Sequence, residues 1–284
     1  MRPDVSILIP LHHASRFLDV VRRNIRELSP SARVIVSDPS DTDHAVDLLR
    51  EEFDGVSNVT FLDRRPLDDG WIPHYNDLAP RVKTPFLMWL AQDDEVDASY
   101  VARCRSLLLA DRHLGAAVGE IRPIEGDGCM SVPQPPFPSQ SELDEYRYPA
   151  NALLFRWNPG ILFRAVFRTK YVTPIRPSFQ GDNWADVVWA YGFTLDHRIA
   201  QDHFAAYRKR FYSDSTHWQW DRRIFLPACL PHFSDQIERS RLGRTDKAKC
   251  RDELLRHATQ NIIHHIRNGQ VHEEDLRHGT ESVE

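Results

Sequence analysis

The sequence predicts an α/β fold: an open, mostly parallel, Rossmann-like sheet flanked by helices, with a helical appendage toward the C-terminus. Three observations predict it. Short β-branched apolar runs alternate with amphipathic stretches as far as Ala110. Two of those runs end in acids, at Asp38 and at Asp93-Asp94-Glu95. From Ala228 onward the strand signals give way to a charged, His-rich helical pattern.

Val5 to Leu11 (VSILIPL) is short and apolar, bounded by Pro3 and His12-His13, as a buried parallel strand would be. ASRFLDVVRRNIREL then sets Phe17, Val20, Val21, Ile25 and Leu28 on one helical face. Ala32 to Ser37 is a second strand, Thr42 to Phe53 a second helix and Asn58 to Leu62 a third strand. Right-handed crossovers make such strands parallel neighbours. Trp71 to Val82 is a weaker helix containing Pro73 and Pro80, and Pro85 to Ala91 (PFLMWLA) is the next buried strand. Ala98 to Ala110 is a strong helix, with Asp97 or Ser99 as its cap. Gly115 to Tyr148 carries Pro123, Pro133, Pro135, Pro136 and Pro138 and reads as a loop-rich excursion. Beyond it, Ile161 to Phe167 is apolar, Trp184 to Tyr191 is helix-like, and His197 to Arg208 holds one further strand.

With 284 residues, 41% hydrophobic and 27% charged, the chain can bury a sizeable core. Lys plus Arg number 36 against 41 for Asp plus Glu, a net charge of −5, which argues against a nucleic-acid partner. Cys104, Cys129, Cys229 and Cys250 form no CxxC pair and read as reduced thiols. The opening residues lack a signal-peptide layout, and no apolar run approaches the length of a membrane span. The expectation is a cytoplasmic protein without a transmembrane segment, with peripheral contact at the inner face of a membrane left open.

No GxGxxG follows the first strand, and no GxxxxGK[ST], GxSxG or HExxH occurs. Dinucleotide, P-loop, serine-hydrolase and zincin chemistry are therefore disfavoured. In open parallel sheets the ligand sits beyond the carboxyl ends of the strands, where Asp38 and the Asp93 run fall. Successive residues on an extended chain point opposite ways, so one or two of these acids face the crevice. Acids there repel a phosphorylated ligand unless a divalent cation lies between, and Mg²⁺ and Mn²⁺ are held by one or two carboxylates plus substrate phosphates. The chemistry implied is a metal-bridged nucleoside diphosphate. The plain alternative for QDDE is helix capping and surface charge.

The order of elements and acids resembles a family 2 glycosyltransferase with a GT-A domain. Pro10 matches the strand-ending proline before the nucleotide base. In VIVSDPSDTD, Asp38 falls on the family's first acid, which contacts the base, and Asp43 on its last. In GWIPHYN, Gly70 and Asn76 fit a segment of the donor site, while His74 and Tyr75 replace its small residue and arginine. In MWLAQDDEV, Ala91 stands in the first acid's place, Asp93 falls on the metal ligand and Asp94 lies beside it. SFQGDNWADVVWAYGF is similar to the segment bearing the general base, for which Asp186 and Asp182 compete. YRKRFYSDSTHW resembles the last strand and loop of the donor site, with His217 as a metal ligand and Arg208 and Arg210 as phosphate partners.

The resemblance implies an inverting transfer from a nucleoside-diphosphate sugar to a saccharide, lipid-linked or small-molecule acceptor, with Mn²⁺ or Mg²⁺. It implies a catalytic domain over 1–220, divided into a nucleotide half (1–112) and an acceptor half (113–220), and a helical extension over 221–284. The competing readings are a degenerate sugar-binding or scaffolding protein on the same fold and, more remotely, a sugar nucleotidyltransferase.

Overall fold

The computed structural model describes residues 3–40, 42–63, 67, 70–124, 136–157, 159–178, 184–212 and 222–267. The chain forms two compact units. One comprises Met1–Gln134, Ile161–Ile175 and His197–Ser213; the other comprises Pro135–Gly160, Arg176–Asp196 and Asp214–Glu284.

The first unit is the α/β body. Its elements in chain order are β1 (Val5–Pro10), α1 (Leu18–Leu28), β2 (Arg33–Ser37), α2 (Ala45–Glu52), β3 (Val59–Phe61), α3 (Trp71–Leu78), β4 (Phe86–Trp89), β5 (Glu95–Val96), α4 (Ala98–Ala110), β6 (Leu114–Pro123), β7 (Val166–Arg168) and β8 (Arg198–Lys209). The sheet order is β3-β2-β1-β4-β7-β6-β8-β5. β1 pairs in parallel with β2 and β4, and β2 with β3, as the crossover rule requires. Beyond β4 the sheet is mixed: β7 runs antiparallel to β4 and β6, β6 and β8 are parallel, and β5 is antiparallel to β8.

β1 is buried at every position, as a strand covered on both faces should be. On α1, Val21, Ile25 and Leu28 are 0% exposed; burial of each contributes about 1.5–3 kcal/mol. Pro73 is tolerated because it lies in the first turn of α3, where its missing N–H has no intrahelical partner. Pro80 falls in a 3₁₀ turn, so this helix is shorter than the sequence suggests.

Two expectations are corrected. Asp97 stands at the N-cap position of α4, but its side chain makes no capping hydrogen bond; the Ala98 amide instead donates to Glu27 Oε1 at 3.0 Å. The region after Gly115 does not begin as a loop. It begins inside β6, whose run of small residues hides its strand character. Gly119 is required there: a Cβ would lie 2.3 Å from the Ala205 carbonyl oxygen and 2.5 Å from the Tyr100 ring.

The second unit is helical: α5 (Gln140–Asp144), α6 (Pro149–Arg156), α7 (Ala185–Asp196), α8 (Arg222–Arg239) and α9 (Arg244–Arg267). α7 packs on α6 and α8, and α9 on α6 and α8. Tyr191, Cys229, Phe233, Cys250 and Leu254 are fully buried at its centre. Among the described residues no helix is long and apolar enough to cross a membrane.

Candidate active site

The carboxyl ends of β1, β2 and β4 meet through their parallel ladders. Pro10 lies opposite Ser37, and Leu8 opposite Trp89. The Leu11 amide donates to the Ser37 carbonyl at 2.7 Å, and the Leu90 amide to the Leu8 carbonyl at 2.9 Å. Pro10, Asp38 and the Asp93 turn therefore leave the sheet at one edge.

Asp38 is 1% exposed. Its Oδ1 accepts from the Ser40 amide at 3.0 Å and the Ser40 hydroxyl at 2.9 Å, closing a local turn. Beside it, the His74 ring nitrogen and Ser37 Oγ share a buried 3.0 Å hydrogen bond. Asp43 accepts from the Ser15 amide at 2.7 Å and the Ala45 amide at 3.3 Å. Burial pushes the Asp43 carboxyl up, but these amides outweigh it and hold the group below the usual carboxylate range.

The acids after β4 divide by partner. Asp94, 1% exposed, accepts from Tyr207 Oη and from the Arg210 amide, both at 2.8 Å. Glu95 accepts from Arg23 at 3.0 Å and from Arg210 at 2.8 Å. Asp97 receives a two-pronged bond from Arg208 at 2.9 and 3.0 Å. Asn24, on the buried face of α1, donates to the Asp94 carbonyl at 2.9 Å. The register of β5 on β8 brings these groups together by setting Glu95 opposite Arg208.

Asp93 is different. Its carboxylate is half-buried and accepts no hydrogen bond from another described residue. Burial first, and the neighbouring Asp94 charge second, push it up to about 6, against the pull of Lys209 and Arg164. Among the described residues no three His, Cys, Asp or Glu side chains form a metal cluster. One half-buried carboxylate that accepts from no other described residue nevertheless fits Mg²⁺ or Mn²⁺, which take one or two protein carboxylates and complete their shell with substrate phosphates and water.

The other candidates are placed as follows. Asn76 spends its amide on Ile175, donating to its carbonyl and accepting from its N–H, both at 2.8 Å. Tyr75 packs on Trp71, Trp89 and Phe163 with ring centroids 5.3 to 5.9 Å apart. Asp186 belongs to the second unit, in the first turn of α7. It is half-buried, and its charge adds to burial in pushing the Cys229 thiol up to about 12. Trp184, just before it, has φ of 61°, a left-handed conformation uncommon for a bulky residue. Asp182 and His217 lie outside the described residues.

Sequence reasoning overlooked Arg23, Asn24 and Tyr207. Asn24 left a signal, a polar residue inside the apolar face of α1.

No family model and no curated protein matches the chain. Solved structures do. The structure of Staphylococcus aureus TarS 1–349 in complex with UDP-GlcNAc matches with TM-score 0.60 and 14% identity, covering 89% of this chain and 70% of that one. The mannosyltransferase PcManGT from Pyrobaculum calidifontis, in complex with GDP-Man and Mn²⁺, matches with TM-score 0.60 and 15% identity, covering 99% and 74%. The chain shares their fold. It is an α/β, Rossmann-like fold with a C-terminal helical region.

Proposed function

We propose that the protein is an inverting glycosyltransferase of the GT-A, family 2 kind, moving a sugar from a nucleoside diphosphate to an acceptor hydroxyl. One observation carries the reading. Of the acids after β4, Asp94, Glu95 and Asp97 are engaged by Tyr207, Arg210, Arg23 and Arg208, while the half-buried Asp93 carboxylate accepts from no other described residue, where β4 leaves the sheet at its carboxyl end. The ligands named for the two fold relatives, UDP-GlcNAc and GDP-Man with Mn²⁺, support the same class of donor.

Pro10 and Asp38 border the nucleotide base, and Asp93 holds the divalent cation. When bound, that cation offsets the charge of the leaving diphosphate. Asp186 is the general base, with Asp182 as its rival. As the acceptor oxygen bonds to the anomeric carbon, the bond from that carbon to the diphosphate oxygen breaks, and the acceptor proton passes to the carboxylate. Arg208 and Arg210 support the acid turn through Asp97 and Glu95. Lys209 and Arg164, whose charges reach Asp93, would help to balance the charge of the diphosphate.

The test is a donor-hydrolysis and transfer screen across UDP-, GDP-, dTDP- and CDP-sugars with Mg²⁺ or Mn²⁺. Metal-dependent release of one nucleoside diphosphate is expected. Tight donor binding without turnover on any acceptor would favour the degenerate sugar-binding protein instead.

A further inference from the structure

The β1–β4 ladder ends at Leu8 and Trp89, followed by the Leu90 amide on the Leu8 carbonyl. Two residues later the pairing resumes through a side chain. Gln92 Oε1 accepts from the His12 amide at 2.8 Å, and Gln92 Nε2 donates to the His12 carbonyl at 2.9 Å. One carboxamide thus satisfies both backbone groups of a residue 80 positions away, reproducing the pairing a strand residue would supply. The pinned loop continues toward β2. His13 is left-handed, with φ of 47°, and its Nδ1 lies 3.3 Å from Thr42 Oγ1. Ser15 then binds Asp43. Gln92 therefore joins the turn that bears Asp93 to the loops after β1 and β2.

From this we infer that Gln92 is a positioning residue that couples cation binding at Asp93 to nucleotide binding at the ends of β1 and β2. The inference rests on the glycosyltransferase reading above. Both polar atoms of the Gln92 amide are turned to the His12 backbone, so its proposed role is to hold the two loops at one spacing. Misplacement of a ligand by a fraction of an ångström weakens a preorganised site more than it weakens the fold.

The experiment is calorimetry of UDP and GDP, and of the matching monophosphates, with and without Mn²⁺. It compares the full chain with Q92M, which keeps the length and removes both bonds, and Q92N, whose amide is too short to span them. In the wild type, Mn²⁺ tightens diphosphate binding. In both variants that tightening should fall by about tenfold, the scale of one to two hydrogen bonds. Monophosphate affinity without metal should change less than about twofold, and the melting midpoint should stay within about 2 °C, because the bonds are solvent-exposed.

An unchanged Mn²⁺ effect in either folded variant overturns the role of Gln92 and leaves the glycosyltransferase reading standing. Equal loss of mono- and diphosphate binding overturns it as well, since Gln92 would then only shape the base loop. Absence of any Mn²⁺-dependent diphosphate binding in the wild type overturns both.

Discussion

Glu253 in the helical unit and Asp93 in the sheet unit are both carboxylates withdrawn from water, yet they are met in opposite ways. Glu253 is 7% exposed. It accepts from the Arg147 amide at 2.8 Å, the Tyr148 amide at 3.2 Å and Asn151 Nδ2 at 2.8 Å. Two of those donors lie at the start of α6, where unsatisfied N–H groups and the helix dipole favour an anion. Asn151 in turn accepts from Tyr191 Oη at 2.8 Å, so one acid fastens α6, α7 and α9. Asp93 has no such donors and a second acid for a neighbour. A carboxylate supplied with donors is a fastener. One half-buried beside another charge is an unfavourable arrangement that a cation relieves.

The sharpest way to break this contrast is Asp93→Asn. It should abolish most of the Mn²⁺-dependent part of nucleoside-diphosphate binding, measured by calorimetry. Retention of metal dependence in a folded D93N protein would transfer the role to Asp94. The same variant carries a stability signature of opposite sign. The Asp93 carboxyl titrates near 6 in the folded chain against 3.8 for the ordinary group. The folded state therefore binds the proton more tightly, and stability falls as pH rises from about 4 through 6. Without metal, D93N should melt above the wild type at pH 7 to 8 and level with it near pH 4.

Asp186 belongs to the unit of Glu253 but is proposed to act as Asp93 does, on a ligand. Asp186→Asn should keep nucleotide binding and lose roughly 10²-fold in transfer rate, the scale of a positioned base. Asp182→Asn should lose less. A dead D182N beside an active D186N reverses the assignment and makes Asp186 a fastener too.

Glu253→Ala tests the other side. It strands buried donors at the start of α6 and should cost about 3 kcal/mol in urea unfolding, leaving nucleotide binding to the folded protein intact. A change below 1 kcal/mol would deny Glu253 its role.

The smallest effect concerns His257. Its ring packs at a tilt against Tyr146 at 4.5 Å and Phe155 at 5.6 Å between centroids, and its Nε2 is buried with no hydrogen-bond partner among the described residues. Burial first, then Arg256, hold it below its usual 6.5, against the pull of Glu253. The unfolded chain therefore binds a proton before the folded one, and stability falls as pH drops below 6.5. His257→Phe should remove that part of the acid dependence, read from melting midpoints between pH 7 and 5.

The strand–helix alternation to Ala110 and the acids at the ends of β2 and β4 were legible because they depend on local rules. Parallel strands buried on both faces must be continuously apolar, and crossovers have one hand. β6 was not legible, since Gly115 and Gly119 weaken its pattern and its partner β8 lies about eighty residues on. Nor was the sorting of the acids. Five residues of alternating direction offer several carboxylates to one crevice, and nothing local ranks them. The ranking came from Arg23 and Asn24 on α1 and from Tyr207, Arg208 and Arg210 at the end of β8. The chemical types at the ligand edge follow from sequence, because strand ends and side-chain types are local properties. Which carboxylate stays without a partner from elsewhere in the chain follows from tertiary structure, because pairing depends on residues 70 to 115 positions apart.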